Sequence, residues 1–102
     1  MRPHDPLDLQ AQEVARAEQA HRDQQAADLE LSDVLWLMGS KRGRRIVWRQ
    51  LTQAGVFRTS FSPVAMQMAH NEGRKQEGYR LLALVHAAAP TLYPTMVAEN
   101  NA

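Results

Sequence analysis

The stretch GRRIVWRQLTQAGVFRTSF, residues 43–61, decides the predicted fold of this chain. Its nineteen positions hold four arginines, one tryptophan, two phenylalanines and two glycines. Over residues 41–54 the spacing is helical, because Val47, Leu51 and Ala54 fall three or four residues apart and share one face. The stretch therefore predicts a helix that either binds nucleic acid through its arginines or builds the centre of a small helical domain.

The glycines and arginines of this stretch indicate where the predicted helix ends and which of its faces is buried. Gly43 lies on the apolar side, where a missing side chain lets another backbone come close. Gly55 stands at the position of a left-handed residue that ends a helix. Arg42, Arg45 and Arg49 fall on the opposite side, so we expect them to face away from the core.

A second helix is predicted after the connection VFRTSFSP. Phe57 and Phe61 are costly to leave in water, and we expect them to fill the core beneath this connection. Pro63 suits the residue at or just before a first helical turn, and Pro90 cannot continue a helix. The sequence therefore predicts a helix from about residue 64 to 88.

This second helix carries two apolar faces. The face that we expect in the core contains Met68, Gly78, Tyr79, Leu82, Val85 and Ala89. Met66, Gly73 and Leu84 project to the other side, which one helix on a small body cannot also bury. A second exposed apolar face is typical of a site that binds a partner.

The N-terminal third is predicted to be a long helical arm. Residues 7–31 contain no proline or glycine and are rich in alanine, glutamine and glutamate, which are good helix formers. Its apolar residues are too few to hold such a helix against a small body, so we expect a neighbouring protein to order it. A disordered terminus is the alternative. Ser32 and Asp33 offer an N-cap to a separate short helix over VLWLM.

These segments predict an all-α fold with two main helices, short helical pieces and a long N-terminal arm. No stretch alternates apolar and polar residues over the length of a strand. The expected divisions are an acidic arm over 1–31, a basic body over 32–96 and a loose tail over 97–102. A domain within 102 residues is marginal on its own, and this chain has no cysteine for a disulfide. We therefore expect partners to stabilise it.

The net charge of +1 conceals two regions of opposite sign. Residues 1–33 contain eight acidic and three basic residues, a net charge of −5. Residues 34–80 contain nine basic and two acidic residues, a net charge of +7. These regions should attract one another, within a chain or between copies. Alternatively, both are solvated faces, since exposed ion pairs contribute only about 0–1 kcal/mol each.

Candidate catalytic groups are sparse. The histidines are far apart and lack the spacing of a zinc site: His4, His21, His70 and His86. Neither a glycine-rich phosphate loop nor a serine elbow is present. The sequence therefore predicts no enzyme, no cofactor and no metal. It also lacks an apolar run of the roughly 20 residues that span a membrane, so we expect a soluble protein made in the cytoplasm.

Nucleic-acid binding is the main alternative to protein binding. The candidates for contact with phosphates are Lys41, Arg42, Arg45 and Arg49. A basic helix of this kind binds phosphates in a salt-dependent way. However, VLWLM is too short for the supporting helix of a helix-turn-helix, and few short polar side chains are placed to read base edges.

Glu72 is expected to form an ion pair inside the body. It is one of two acidic residues among nine basic ones in residues 34–80. The predicted partner is Arg44 or Arg45 in the first main helix. A buried pair of this kind specifies geometry more reliably than it adds stability.

The motifs follow the order GRR, W, L and AGVFRTSF, then NEGRKQEGYRLL at 71–82 and a proline-bounded end. In this order the chain resembles a small helical family of short-tailed, podovirus-like bacteriophages. Members of that family are encoded among the virion structural genes. The resemblance covers roughly residues 33–96, and the acidic arm lies outside it. The matching residues are Gly43, Arg44, Arg45, Trp48, Leu51, Gly55, Phe57, Ser60, Phe61, Asn71, Glu72, Gly73, Arg74, Gly78, Leu81 and Leu82.

The resemblance implies a virion component rather than an enzyme. The residues expected to build the body are Gly43, Arg44, Arg45, Trp48, Leu51, Phe57, Phe61, Glu72, Gly78 and Leu82. The residues expected to bind a partner are Val14, Leu29, Leu31, Met66 and Leu84. The leading interpretation is a multi-copy neck or tail protein of the virion, made in the host cytoplasm, that binds portal, adaptor, tail or fibre proteins. The alternatives are a DNA-associated phage protein and an assembly chaperone absent from the mature particle.

Overall fold

The computed structural model describes residues 8–101, and these form four α-helices. The helices are α1 (Leu9–Met38), α2 (Lys41–Ala54), α3 (Ala65–Ala88) and α4 (Leu92–Asn100). No strand occurs between residues 8 and 101. The predicted all-α fold and the predicted long N-terminal helix are confirmed.

The described residues divide into two units, of which the first is 8–30. This unit is a stretch of α1 whose side chains are almost all exposed. Oδ1 of Asp8 accepts a hydrogen bond from the backbone N–H of Ala11 at 3.0 Å, which caps the start of the helix. One turn apart on its surface, Gln19 donates to Asp23 at 2.8 Å. Helix propensity and local side-chain pairs therefore form this unit.

α1 runs through Ser32 and Asp33 to its end at Met38, so the prediction of a separate helix over VLWLM is wrong. The physical reason is that no glycine or proline interrupts the helix, and two short polar residues alone do not stop one. Ser40 supplies the cap instead, with an extended backbone. Its Oγ accepts a hydrogen bond from the backbone N–H of Gly43 at 2.9 Å and so begins α2.

The second unit, residues 31–101, has its core around α2, which packs against α3 and against α4. The buried hydrophobic residues come from the ends of α1 and α3, from α2 and from α4: Val34, Met38, Val47, Leu51, Val85, Ala89 and Met96. Val47 and Leu51 therefore confirm the predicted apolar face of α2. Gly55, at φ 80°, ends that helix in the left-handed conformation, also as predicted.

Two glycines permit close approaches within this unit. A Cβ atom on Gly43 would lie 1.7 Å from the carbonyl oxygen of Leu37, so only a glycine fits there. A Cβ atom on Gly78 would lie 2.4 Å from Cγ2 of Val56 and 2.7 Å from Cβ of Ala54. The prediction that Gly43 admits a neighbouring backbone is confirmed.

Phe57 and Phe61 are exposed, so the prediction that they fill the core is wrong. Phe57 stacks on Trp48 of α2 with ring centroids 5.1 Å apart. The largest fully buried side chains include Met38 and Met96, which come from α1 and α4. These flexible side chains belong to the core, and the two aromatic rings lie outside it.

The predicted exposure of Leu84 and the predicted loose tail are also wrong. Leu84 is partly buried and packs against the core, as do Leu81 and Leu82 of the same helix. Residues 97–100 belong to α4. Nδ2 of Asn100 donates a hydrogen bond to the carbonyl of Met96 at 2.8 Å, which satisfies a group near the end of that helix.

Candidate functional site

Arg44 of α2 connects three helices of the second unit. Its Nε donates a hydrogen bond to Oε1 of Glu99 at 2.6 Å, and its Nη2 donates to Oε2 at 3.0 Å. Its Nη1 donates to the backbone carbonyl of Met38 at 2.9 Å. The first two bonds form a bidentate ion pair, and the third satisfies a carbonyl at the end of α1. Arg44 thus fixes the ends of α1 and α4 against α2.

The predicted ion pair of Glu72 with Arg44 or Arg45 is wrong, because Arg44 pairs with Glu99 instead. Glu72 is exposed on α3, whereas only 19% of the Glu99 side chain is exposed. Glu99 is the only acidic residue that follows Glu77 in the sequence, and this isolation is the feature that could have indicated Glu99 as the partner of Arg44. The signal becomes usable only when α4 is known to pack against α2.

The environment of Glu99 favours its charged form. The hydrogen bond from Arg44 lowers the pKa of Glu99 more than burial raises it. The positive charges of Arg44, Lys41 and Arg45 lower this pKa further. The same hydrogen bond raises the pKa of Arg44. Both groups therefore remain ionised at neutral pH.

The residues expected to build the body divide between the interior and the surface. The buried ones are Gly43, Leu51 and Gly78, and the half-buried ones are Arg44, Trp48 and Leu82. The exposed ones are Arg45, Phe57, Phe61 and Glu72. The first two groups fix how the helices pack, whereas the third group lies where other molecules can reach it.

Large apolar side chains are exposed in two stretches of the second unit. At the end of α1, Trp36 is 80% exposed and Leu35 is also exposed. Around the start of α3, Phe61 is 75% exposed and Met66 is 85% exposed, with an exposed Val64 between them. Single apolar residues are ordinary on protein surfaces, but groups of large ones are typical of binding sites. We call these five residues the exposed apolar set.

The predicted partner-binding residues have different environments. Val14 and Leu29 of the first unit are exposed, as is Met66 of the second. Leu31 is half-buried. Leu84 is also half-buried and packs against the core.

Trp36 was not singled out by the sequence reasoning, although a signal was available. Val34 and Met38 are four residues apart and both face the core. A residue midway between them on a helix points to the opposite side. Once α1 is taken as continuous, VLWLM therefore predicts that Trp36 faces solvent.

The four basic candidates for phosphate contact are exposed on α2: Lys41, Arg42, Arg45 and Arg49. Three of them, all arginines, lie opposite the buried Val47 and Leu51, as predicted. This basic face is available to an anionic partner.

No three histidine, aspartate or glutamate side chains between residues 8 and 101 lie close enough to hold a metal ion. In the same range, no helix is long and apolar enough to cross a membrane. The ring of His86 lies 4.6 Å from that of Tyr93, which is a packing contact.

The residues described here define a small all-α protein with a compact helical body, an exposed apolar set and a basic helix face. The family model of the Bbp19-like phage protein matches residues 34–98, which are 65 of the 102 residues. The chain belongs to this family of phage proteins. No curated protein and no solved structure matches it.

Proposed function

We propose that this protein is a structural component of a bacteriophage particle that binds other virion proteins. It would be present in several copies at the neck or tail of a short-tailed phage. Membership of the Bbp19-like phage protein family supports the phage context. The exposed apolar set supports a role in protein binding rather than in catalysis.

The observation that carries this proposal is the exposure of Trp36, Phe61 and Met66. Burial of a large apolar side chain contributes about 1.5–3 kcal/mol, so these three contribute roughly 5–9 kcal/mol. Association of two proteins costs about 4–15 kcal/mol in lost freedom and ordering. One such contact is therefore weak, whereas several copies fixed in a symmetric ring bind through their combined contacts. This comparison favours a multi-copy assembly.

We assign the first unit, residues 8–30, to contact with a neighbouring subunit or another tail protein. Its exposed large apolar residues are Leu9, Val14 and Leu29, too few for a core of their own. A polar helix without tertiary support is marginal in water, so a neighbour would stabilise it. Deletion of residues 1–30 should leave a folded body that no longer enters particles. Normal incorporation of the truncated protein would remove this role from the account.

Incorporation of point variants into particles tests the main proposal. Trp36→Ala should reduce the amount of protein in purified particles while its melting temperature stays close to that of the parent, because Trp36 contributes little to the core. Ile46→Ala is the matched control, since Ile46 is a partly exposed apolar residue of α2 outside the exposed apolar set. Equal incorporation of both variants and the parent would contradict the proposal.

The exposed basic face of α2 favours a second candidate function, association with DNA. Four phosphate contacts predict that affinity falls roughly 100-fold between 50 and 200 mM salt. Replacement of Arg42, Arg45 and Arg49 by glutamine should reduce the slope of log affinity against log salt concentration by the amount expected for about three phosphate contacts. Binding to duplex DNA that is weak and unaffected by this triple replacement would exclude the DNA function.

A further inference from the structure

A polar cavity of about 260 Å³ opens between the end of α2, the connection that follows it and the first half of α3. Its polar lining includes Arg58, Thr59, Ser60, Gln67, Asn71 and Arg74. The last three recur four and three residues apart, so they share one face of α3. The exposed basic residues of α2 lie outside this lining.

Ser60 is the buried polar residue of this cavity. It is 8% exposed, and its Oγ has no hydrogen-bond partner within the described part of the chain. Its backbone is held in place, because Nδ2 of Asn71 donates to the carbonyl of Ser60 at 3.5 Å. A buried hydroxyl without a partner is unfavourable. The Oγ atom has less than 1 Å² of accessible surface, so a ligand in the cavity would bind the other polar groups of the lining rather than this hydroxyl.

Two guanidinium groups make the cavity positive. Nη2 of Arg58 donates to the carbonyl of Thr52 at 3.3 Å, and Nη2 of Arg74 donates to the carbonyl of Gln53. A guanidinium has five N–H donors, so these contacts use only part of each group. Of the described residues, no aspartate or glutamate lines the cavity. The end of α2 adds only about half a negative charge against two full positive charges.

We propose that this cavity binds a carboxylate, carried by an aspartate or glutamate side chain of a neighbouring virion protein. The identity of the partner rests on the proposed function. The two guanidinium groups would donate hydrogen bonds to the carboxylate oxygens. The cavity is large enough to admit a carboxylate side chain. Phe61, exposed and next to Ser60 in the chain, offers an apolar contact for the segment that carries the carboxylate.

The phosphate of a nucleic acid is the competing anion. Nucleic-acid backbones are bound by several basic side chains that follow successive phosphates. The basic residues at 41, 42, 45 and 49 do not line this cavity. Apart from its two arginines, the polar lining consists of hydroxyl and amide groups. This composition favours a single carboxylate over a run of phosphates.

Titration of the full-length, isotope-labelled protein with sodium acetate tests the site by NMR, with sodium chloride at equal ionic strength as the reference. We expect saturable shifts of the Ser60 amide and of the Nε–H groups of Arg58 and Arg74. Arg74→Gln should weaken the apparent affinity for acetate at least tenfold. Lys75→Gln removes the same charge from the next residue of α3, outside the lining, and should leave the affinity unchanged. Shifts that do not saturate, or equal losses in both variants, would overturn the site.

Titration with dimethyl phosphate, a monoanion like acetate, shows whether the cavity prefers a carboxylate or the phosphate of a nucleic acid. We expect it to bind more weakly than acetate. Equal or tighter binding would overturn the carboxylate assignment in favour of a nucleic-acid backbone. These titrations use the isolated protein, so their failure is distinguishable from absence of the protein from particles, which would contradict the proposed function instead.

Discussion

Replacement of Gly43 by alanine tests how α2 packs against the end of α1. A Cβ atom at this position would lie 1.7 Å from the carbonyl oxygen of Leu37 and 2.8 Å from its carbonyl carbon. Gly73 of α3 is the matched control, because a Cβ atom there meets nothing within 4 Å. Both glycines lie within helices, so the two variants differ mainly in the contact that the added methyl group makes.

The expected effects have opposite signs. In an open helical position, alanine is favoured over glycine by about 0.5–1 kcal/mol, so Gly73→Ala should be more stable. At Gly43 the backbones must separate by roughly 1.5–2 Å to restore an ordinary contact distance. Overpacking costs about 1–3 kcal/mol, and displacement of a carbonyl rather than a flexible side chain places Gly43→Ala near the upper end, at about 2–3 kcal/mol.

Thermal unfolding followed by circular dichroism measures both changes. For a domain of this size, about 1 kcal/mol shifts the melting temperature by roughly 4–8 °C. Gly73→Ala should therefore melt roughly 2–8 °C higher than the parent, and Gly43→Ala roughly 8–24 °C lower. A Gly43→Ala protein that melts at or above the parent temperature would refute the close approach of Leu37 to α2.

Four other substitutions have defined outcomes. Glu99→Gln should lower the melting temperature, because it removes the charge that pairs with Arg44, whereas Glu72→Gln should leave it nearly unchanged. Leu51→Ala should reduce the free energy of unfolding by about 2–5 kcal/mol, as measured by urea denaturation, because Leu51 is fully buried. Phe61→Ala should leave the melting temperature nearly unchanged, since 75% of its surface is exposed, but should lower incorporation into particles.

The ion pair also predicts how stability depends on pH. Arg44 lowers the pKa of Glu99 below its ordinary value of 4.5, so the folded state binds this proton less readily than the unfolded chain does. The contribution of the pair is therefore fully present above about pH 4.5 and is lost as the pH falls through the lowered pKa. Glu99→Gln should lack this part of the acid destabilisation. Identical acid unfolding profiles for the parent and Glu99→Gln would contradict the pairing.

The parts of the fold that the sequence predicted depend on short-range signals. Gly55 ends α2 because a left-handed residue is needed within one turn of the last helical carbonyl. Pro63 and Pro90 bound α3 because proline cannot continue a helix, and Val47 and Leu51 identify the buried face of α2 through their spacing. Each signal acts within a few residues, so it does not require knowledge of the tertiary arrangement.

The parts that were not predicted depend on which distant segments meet. Arg44 pairs with Glu99 across 55 positions of sequence, and this pairing follows from the packing of α4 against α2. Met96 fills interior space for the same reason, whereas Phe61 lies outside the core. Arg58 and Arg74 became candidate binding residues only when the cavity that they line was known.

Quantitative mass spectrometry of purified particles tests the central claim most directly, with the portal protein as the internal standard for copy number. We expect this protein to be present in several copies per particle and to remain after nuclease treatment and extensive washing. Abundance in infected cells together with absence from mature particles would contradict the account and would instead indicate an assembly chaperone.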